Sequence, residues 1–97
     1  DATCVVDERG VILRANRSMA RMFERESNEL VGSSIEILLP LRVRDSHGDH
    51  VRRYFASPKV RAMGSGLALH ASRRSGEEFP VEISLSPVEL DGETRVI

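Results

Sequence analysis

Alternation between apolar and polar residues is clearest near the carboxyl end of the chain. Phe79, Val81, Ile83 and Leu85 are separated by single residues that are polar or turn-forming. Because successive side chains of a strand point to opposite faces, this period of two predicts one continuous strand with one buried and one solvated face.

Turn-forming residues separate this strand from its neighbours. A loop at 63–66 and an apolar run at 67–73 precede a polar turn at 74–77, which predicts an antiparallel partner strand. Asp91-Gly92 predicts a tight hairpin, followed by a last strand that starts at Glu93 and is cut off by the end of the chain.

The first third of the chain predicts a hairpin followed by short helices. Apolar, β-favouring runs at 2–6 and 11–15 flank a turn that ends at Gly10. Asn16 offers a capping oxygen, and the apolar residues after it recur at helical spacing, so a short helix is predicted directly after the hairpin. Ser27 is predicted to cap a second, shorter helix.

Residues 41–56 predict the longest helix. Val43, His47, Val51 and Tyr54 follow one another at spacings of four, four and three residues. This spacing places the four side chains on one face of a helix, while the charged residues project elsewhere. We expect the apolar face to cover the sheet.

The order of elements predicts the fold class. Strands at both ends of the chain, with helices between them, indicate an α+β domain in which helices cover one face of an antiparallel sheet. A chain of 97 residues, 40% of them apolar, allows one core and excludes a second domain. Cys4 is the only cysteine, which excludes an internal disulfide and a four-cysteine zinc site.

Charge and hydropathy narrow the classes of partner. The formal net charge of -1 argues against a nucleic-acid-binding protein. Six basic side chains against two acidic ones over 42–61 are interpreted as a solvated face, or as a basic rim for an anionic ligand group. No apolar run approaches the ~20 residues that cross a bilayer, so we expect a soluble, cytoplasmic domain without direct membrane insertion.

Five short motifs occur in an order and spacing that is specific as a set. They are Asp7-Glu8-Arg9-Gly10, Asn16 followed by Met22-Phe23, Glu29-Leu30-Val31-Gly32, Leu39-Pro40, and the run from Arg73 to Glu82. With these motifs the chain resembles a PAS domain over its whole length. The resemblance implies a single PAS domain over residues 1–97, with a five-stranded antiparallel sheet, helices packed on one face, and a ligand-sized pocket.

The resemblance also implies a role in signal transduction. Such domains are regulatory modules attached to an output domain, for example that of a sensor histidine kinase or a diguanylate cyclase, and are not themselves enzymes. We expect a small-molecule ligand, homodimerisation through the PAS domain and a flanking helix, or both. The chain departs from the family at Glu24-Arg25, and it lacks the Asp-[Ile/Val]-Thr ending that commonly leads to the output domain.

One segment of the longest helix suggests a specific cofactor. Around His47 the sequence is similar to the region of the proximal haem histidine in oxygen-sensing PAS kinases that control nitrogen fixation. That resemblance implies His47 as the iron ligand, Arg53 near a haem propionate and Arg61 at a second rim position. Ile83 and Leu85 would line the distal side.

Two departures weigh against a true oxygen sensor. Leu67 stands where those sensors place an arginine, and Met63 lies two residues before the position of a distal methionine in another haem-binding subgroup. The simpler interpretation of His47 is a core histidine with a backbone or carboxylate partner. A zinc site at His47 and His50 lacks an evident third ligand.

The flavin-based light sensors of the family offer a further comparison. They require a reactive cysteine at the start of the longer helical region, and residues 35–39 contain none. We therefore exclude blue-light adduct chemistry.

Overall fold

The elements follow one another as strands, helices and strands. The structure, a computed structural model, describes residues 1–58, 60–63 and 69–97, but not the side chains of 45–47, 49 and 61–63. The helices are α1 (Arg17–Phe23), α2 (Ser27–Leu30), a short 3-10 helix (Ile35–Leu38) and α3 (Leu41–Ala56). The strands are β1 (Cys4–Val6), β2 (Ile12–Ala15), β3 (Arg61–Met63), β4 (His70–Ser72), β5 (Glu78–Pro80), β6 (Ile83–Leu85), β7 (Pro87–Leu90) and β8 (Glu93–Val96).

The opening hairpin forms as predicted, because its turn satisfies its own backbone. Asp7 is buried, and its Oδ1 accepts hydrogen bonds from the backbone N–H groups of Arg9 and Val11, both at 2.9 Å. Gly10 has a φ of 81°, a left-handed conformation that glycine adopts without steric cost. The turn therefore fixes the register in which β1 pairs with β2.

The first and last strands lie side by side. The four-stranded order is β2-β1-β8-β7, and β1 meets β8 antiparallel, with Val6 opposite Val96. The hairpin between β7 and β8 turns at Asp91 and Gly92, whose φ angles are 52° and 78°. Two positive φ angles are typical of a type I′ turn, which confirms the predicted hairpin.

The alternating segment over 79–85 does not form one strand. β5 pairs with β4, whereas β6 pairs with β3, and the strand is interrupted at Val81 and Glu82. The two ladders differ in register because six residues, 64–69, separate β3 from β4, whereas only two residues separate β5 from β6. The prediction of a continuous strand is therefore wrong at this point, and β3 was not predicted, since its first residues were left unassigned and Met63 was assigned to a loop.

β6 and β7 nevertheless continue into one another. Ser86, which joins them, exchanges two backbone hydrogen bonds of 3.0 Å with Ile97 beyond β8. The backbone paths β2, β1, β8, β6–β7 and β3 thus lie next to one another in an antiparallel arrangement. The predicted α+β fold with an antiparallel sheet is confirmed.

The two short helices differ in how their first turns are capped. Asn16 caps α1, as predicted, because its Oδ1 accepts a hydrogen bond from Met19 N at 2.9 Å. α2 begins at Ser27, but its cap is Glu26, whose N–H donates to Glu29 Oε1 at 3.1 Å. The predicted start of this helix at Ser27 is confirmed, but the capping residue lies one position earlier, because the carboxylate of Glu29 reaches back to the N–H group of Glu26.

The buried core cluster lies between the opening hairpin, the short helices and β4. Among the described residues its members come from β2, α1, α2, the 3-10 helix and β4. They are Ile12, Met19, Phe23, Leu30, Leu38 and Ala71. α3 has the predicted bounds, but none of its described side chains is buried.

The predicted apolar face of α3 is only partly correct. Val51 and Tyr54 are half-buried, whereas Val43 is exposed. Arg44 Nε donates to the carbonyl of Leu39 at 3.0 Å, which turns that side of the first helical turn toward the protein. Since neighbouring helical positions are rotated by about 100°, Val43 is left at the surface.

Replacing Asn16 tests the link between the hairpin and α1. Besides capping α1, Asn16 Oδ1 accepts from Thr3 N at 3.1 Å, and its Nδ2 donates to Asp1 O at 2.7 Å. Asn16→Ala is expected to lower the free energy of unfolding by about 1–2 kcal/mol, measured by urea denaturation. Asn28→Ala, at an exposed position of α2, is the control and should cost nothing; equal losses in the two variants would contradict this role.

Candidate functional site

The predicted ligand-binding residues fall on α3, β3 and β6. Ile83 and Leu85 are half-buried and share one face of β6, whereas Ser84 between them is exposed. β3 runs antiparallel to β6, with Met63 opposite Ile83 and Arg61 opposite Leu85. Strand register therefore brings four of the predicted residues together in one ladder.

The remaining predicted residues are placed less completely. His47 lies in the first half of α3, and its side chain is outside the described residues. Leu67 lies outside the described residues altogether. Arg53 is exposed near the carboxyl end of α3. The orientation of the His47 imidazole toward the sheet therefore stays a prediction.

The described side chains of α3 and of β6 are less buried than those of the core cluster. No described side chain of α3 or of β6 is buried, although Val51, Tyr54, Ile83 and Leu85 are all half-buried. Apolar surface left at the edge of a domain is available for a further contact.

Within the part of the chain that the structure describes, several contacts connect α3 to the rest of the protein. The guanidinium of Arg42 forms an ion pair of 3.0 Å with Glu78 at the start of β5. In the middle of the helix, the side chain of Val51 lies close to Gly10, since a Cβ atom added at Gly10 would be 3.9 Å from its methyl groups. Together with the hydrogen bond from Arg44 Nε to the carbonyl of Leu39, these contacts hold both the first turn and the middle of α3.

A depression of about 340 Å³ opens where α3, the 3-10 helix and the first turn meet. Gly10 and Gly48 leave its wall without side chains, and Ile35 and Val51 supply apolar surface. Sequence reasoning missed this depression. The left-handed glycine of the turn was its only local signal, because the other walls come from distant parts of the chain.

Arg73 connects the β4–β5 hairpin to the end of α1. Its Nη1 donates to the carbonyl oxygen of Met22, and its Nε donates to Glu77 Oε1 at 2.7 Å. The guanidinium also lies 4.0 Å above the ring of Phe79, which in turn packs against Phe23 at 5.5 Å between centroids. The carbonyl groups at the end of a helix lack intrahelical partners, so Arg73 satisfies one of them.

Arg74 reinforces the same connection. Its backbone N–H donates to Phe23 O at 3.1 Å, and its guanidinium forms an ion pair with Glu29 of α2. We call Arg73 and Arg74 the arginine clamp. The clamp joins the motif at residues 73–82 to the motif at Met22-Phe23 and, through Glu29, to the motif at 29–32, so three of the five sequence motifs form one physical unit.

Other candidate chemistry has less support in the described residues. Burial raises the pKa of the Cys4 thiol, which disfavours the reactive thiolate. Within the described part of the chain no group of three or more His, Cys, Asp or Glu side chains could hold a metal ion. Over those same residues no helix is long and apolar enough to cross a membrane.

The sequence pattern of the family described as "PAS domain" matches residues 1–97. The chain belongs to the PAS family. The PAS domain of an HTR-like protein from Haloarcula marismortui has the same fold, with a TM-score of 0.77 and 24% identity. That likeness covers 99% of this chain and 75% of the other chain.

Two sensor proteins are similar to this PAS domain in sequence. Sensor protein FixL of Bradyrhizobium diazoefficiens is 29% identical over 93 residues, covering 96% of this chain and 18% of FixL. Oxygen sensor protein DosP of Escherichia coli is 22% identical over 88 residues, covering 91% of this chain and 11% of DosP. The chain thus spans less than a fifth of the length of either relative.

The arginine clamp can be tested with a substitution that keeps its charge. Arg73→Lys retains a cation but loses the planar group that both stacks on Phe79 and donates from two nitrogen atoms. We expect the free energy of unfolding to fall by about 1–2 kcal/mol in urea denaturation. Arg14→Lys, at an exposed position of β2, is the matched control, and an equal urea midpoint for the two variants would contradict the clamp.

Proposed function

We propose that this PAS domain is a sensory module that binds a small, largely apolar molecule between α3 and the face of β6. The observation that carries the proposal is the uneven burial of the domain. The described core cluster draws on β2, α1, α2, the 3-10 helix and β4, whereas Val51 and Tyr54 of α3 and Ile83 and Leu85 of β6 are only half-buried. A ligand there would remove apolar surface from water at about 25 cal/mol per Å².

The sheet offers a path from this site to both ends of the chain. β6 continues through Ser86 into β7, β7 pairs with β8, and β8 pairs with β1. A displacement of β6 would therefore reach the first and the last strand together. We propose that an output domain, such as that of a histidine kinase or diguanylate cyclase, receives this displacement, and that the module works as a homodimer.

A fluorescent probe with an apolar body and an anionic group tests the ligand site. The probe is 1-anilinonaphthalene-8-sulfonate, whose sulfonate suits the basic residues of α3. We expect saturable binding, with amide NMR shifts concentrated in α3, β3 and β6. Ile83→Asp should weaken binding roughly ten-fold, because it places a charge on the apolar face.

Ser84→Asp is the matched control, since Ser84 is exposed between Ile83 and Leu85. It adds the same charge one residue away on the opposite face, so binding should be unchanged. Thermal melting of both variants establishes that they fold. Equal binding by folded Ile83→Asp and Ser84→Asp would rule out this face as the ligand site.

A haem-based gas or redox sensor is a second candidate. It is favoured by the similarity to a relative named as an oxygen sensor and by the position of His47 in α3. The donor set fits a haem in its chemistry, since an imidazole on the helix, the apolar face of Ile83 and Leu85, and the exposed Arg53 suit iron, macrocycle and propionate respectively. A bound haem would supply an iron centre that responds to gases or to redox potential.

Titration of the purified domain with haemin tests this candidate. We expect a Soret band that His47→Ala abolishes, because the imidazole would be the axial ligand. His50→Ala is the control, three residues further along α3, and should retain the band. A spectrum no different from that of free haemin, or equal bands in the two variants, would exclude haem ligation by His47 and leave the test with the fluorescent probe unaffected.

A further inference from the structure

A second depression lies at the corner between α1 and α2, away from α3 and β6. It is a groove of about 640 Å³ that is open to solvent. Arg17, Arg21, Arg25 and Arg74 all line it, together with three glutamates. We call it the arginine groove.

Arg17 stands where a helix disfavours a cation, whereas Arg21, in the last turn of α1, is favourably placed. Arg17 is the first residue of α1, whose first turn contains no acidic residue, so a cation there opposes the positive end of the helix dipole. Arg17 and Arg21 are four residues apart on the helix, a spacing at which like charges repel each other. The short helix therefore presents a concentration of positive charge at a local cost in stability.

The acidic side chains nearby do not offset this charge in full. Glu29 already pairs with Arg74 and accepts a hydrogen bond from Glu26 N at 3.1 Å. Among the described residues Arg17, Arg21 and Arg25 form no ion pair within 4.0 Å.

Arg25 adds an independent observation. Its Nε is buried and has no hydrogen-bond partner among the described residues. A buried donor without an acceptor is destabilising, and most such donors in folded proteins are satisfied. A ligand oxygen that reached this Nε after a small shift of the guanidinium would accept the missing hydrogen bond.

We propose that the arginine groove binds a multivalent oxoanion of the phosphate class through Arg17, Arg21 and Arg25. The planar guanidinium group donates two parallel hydrogen bonds to phosphate oxygens, which makes arginine suited to this task. Glu24 and Glu26 also line the groove, so a monovalent anion gains little there. The site lies outside the α3–β6 face and does not depend on the proposed ligand there.

Titration with two probes tests the groove and identifies the source of the phosphate. Inorganic pyrophosphate and ADP are each added to the domain in potassium chloride of constant ionic strength, and amide NMR shifts are followed. We expect saturable binding with a Kd of roughly 1 mM or lower, and with shifts centred on α1 and α2. Tighter binding of ADP would assign the site to nucleotides, whereas equal binding would assign it to phosphate groups alone.

Substitutions identify the arginines that contribute to pyrophosphate binding. Arg21→Gln and Arg25→Gln should each weaken pyrophosphate binding roughly ten-fold, and Arg25→Lys should weaken it less, because it keeps the charge. Arg14→Gln, on β2 and outside the groove, should leave binding unchanged. Equal weakening by Arg14→Gln, or shifts that increase without saturation, would overturn the proposal, and thermal melting in chloride verifies that each variant folds.

Discussion

The pairing of β1 with β8 is the constraint on which the rest of the domain depends. Val6 lies opposite Val96, so residues from nearly the two ends of the chain meet in the middle of the sheet. Without this pair the opening hairpin and the β7–β8 hairpin would be separate two-stranded ribbons, which are marginally stable in water. Bringing the two ends of the chain together costs loop-closure entropy, and the packing of the rest of the domain has to offset this cost.

The arginine clamp supplies part of that support. Arg73 and Arg74 connect the β4–β5 hairpin to backbone carbonyl groups at the end of α1, and Arg74 also pairs with the Glu29 carboxylate of α2. The stack of Arg73, Phe79 and Phe23 buries the same corner of the core. PAS motifs that look weak when taken singly are thus specific together, because the folded chain brings them into contact.

Local signals predicted the elements whose cause is local. Asn16 marks the start of α1 and Asp91 with Gly92 marks the last turn, since each acts on its own neighbours. The interruption at Val81 and Glu82 and the short strand β3 were not predictable in this way. They depend on the register between two strands, which the alternation of a single strand does not contain.

In the candidate site, too, features with a local cause were predicted and features that depend on distant residues were not. Alternation correctly placed Ile83 and Leu85 on one face of β6, and family resemblance gave His47 its proposed role. The exposure of Val43 was not foreseen, because it depends on Arg44 reaching the carbonyl of Leu39. The arginine groove was missed as well, since its walls come from two helices and a hairpin that adjoin only in the folded chain.

The concentration of buried side chains around α1 and α2 has a consequence for dynamics. Segments with few buried contacts open at a lower free energy than a packed core, so α3 and its surroundings should exchange amide hydrogens sooner than α1. A molecule bound there would act mainly by stiffening a soft segment next to a rigid one. The domain would then report occupancy as a change in the amplitude of its motions, with little change in its average shape.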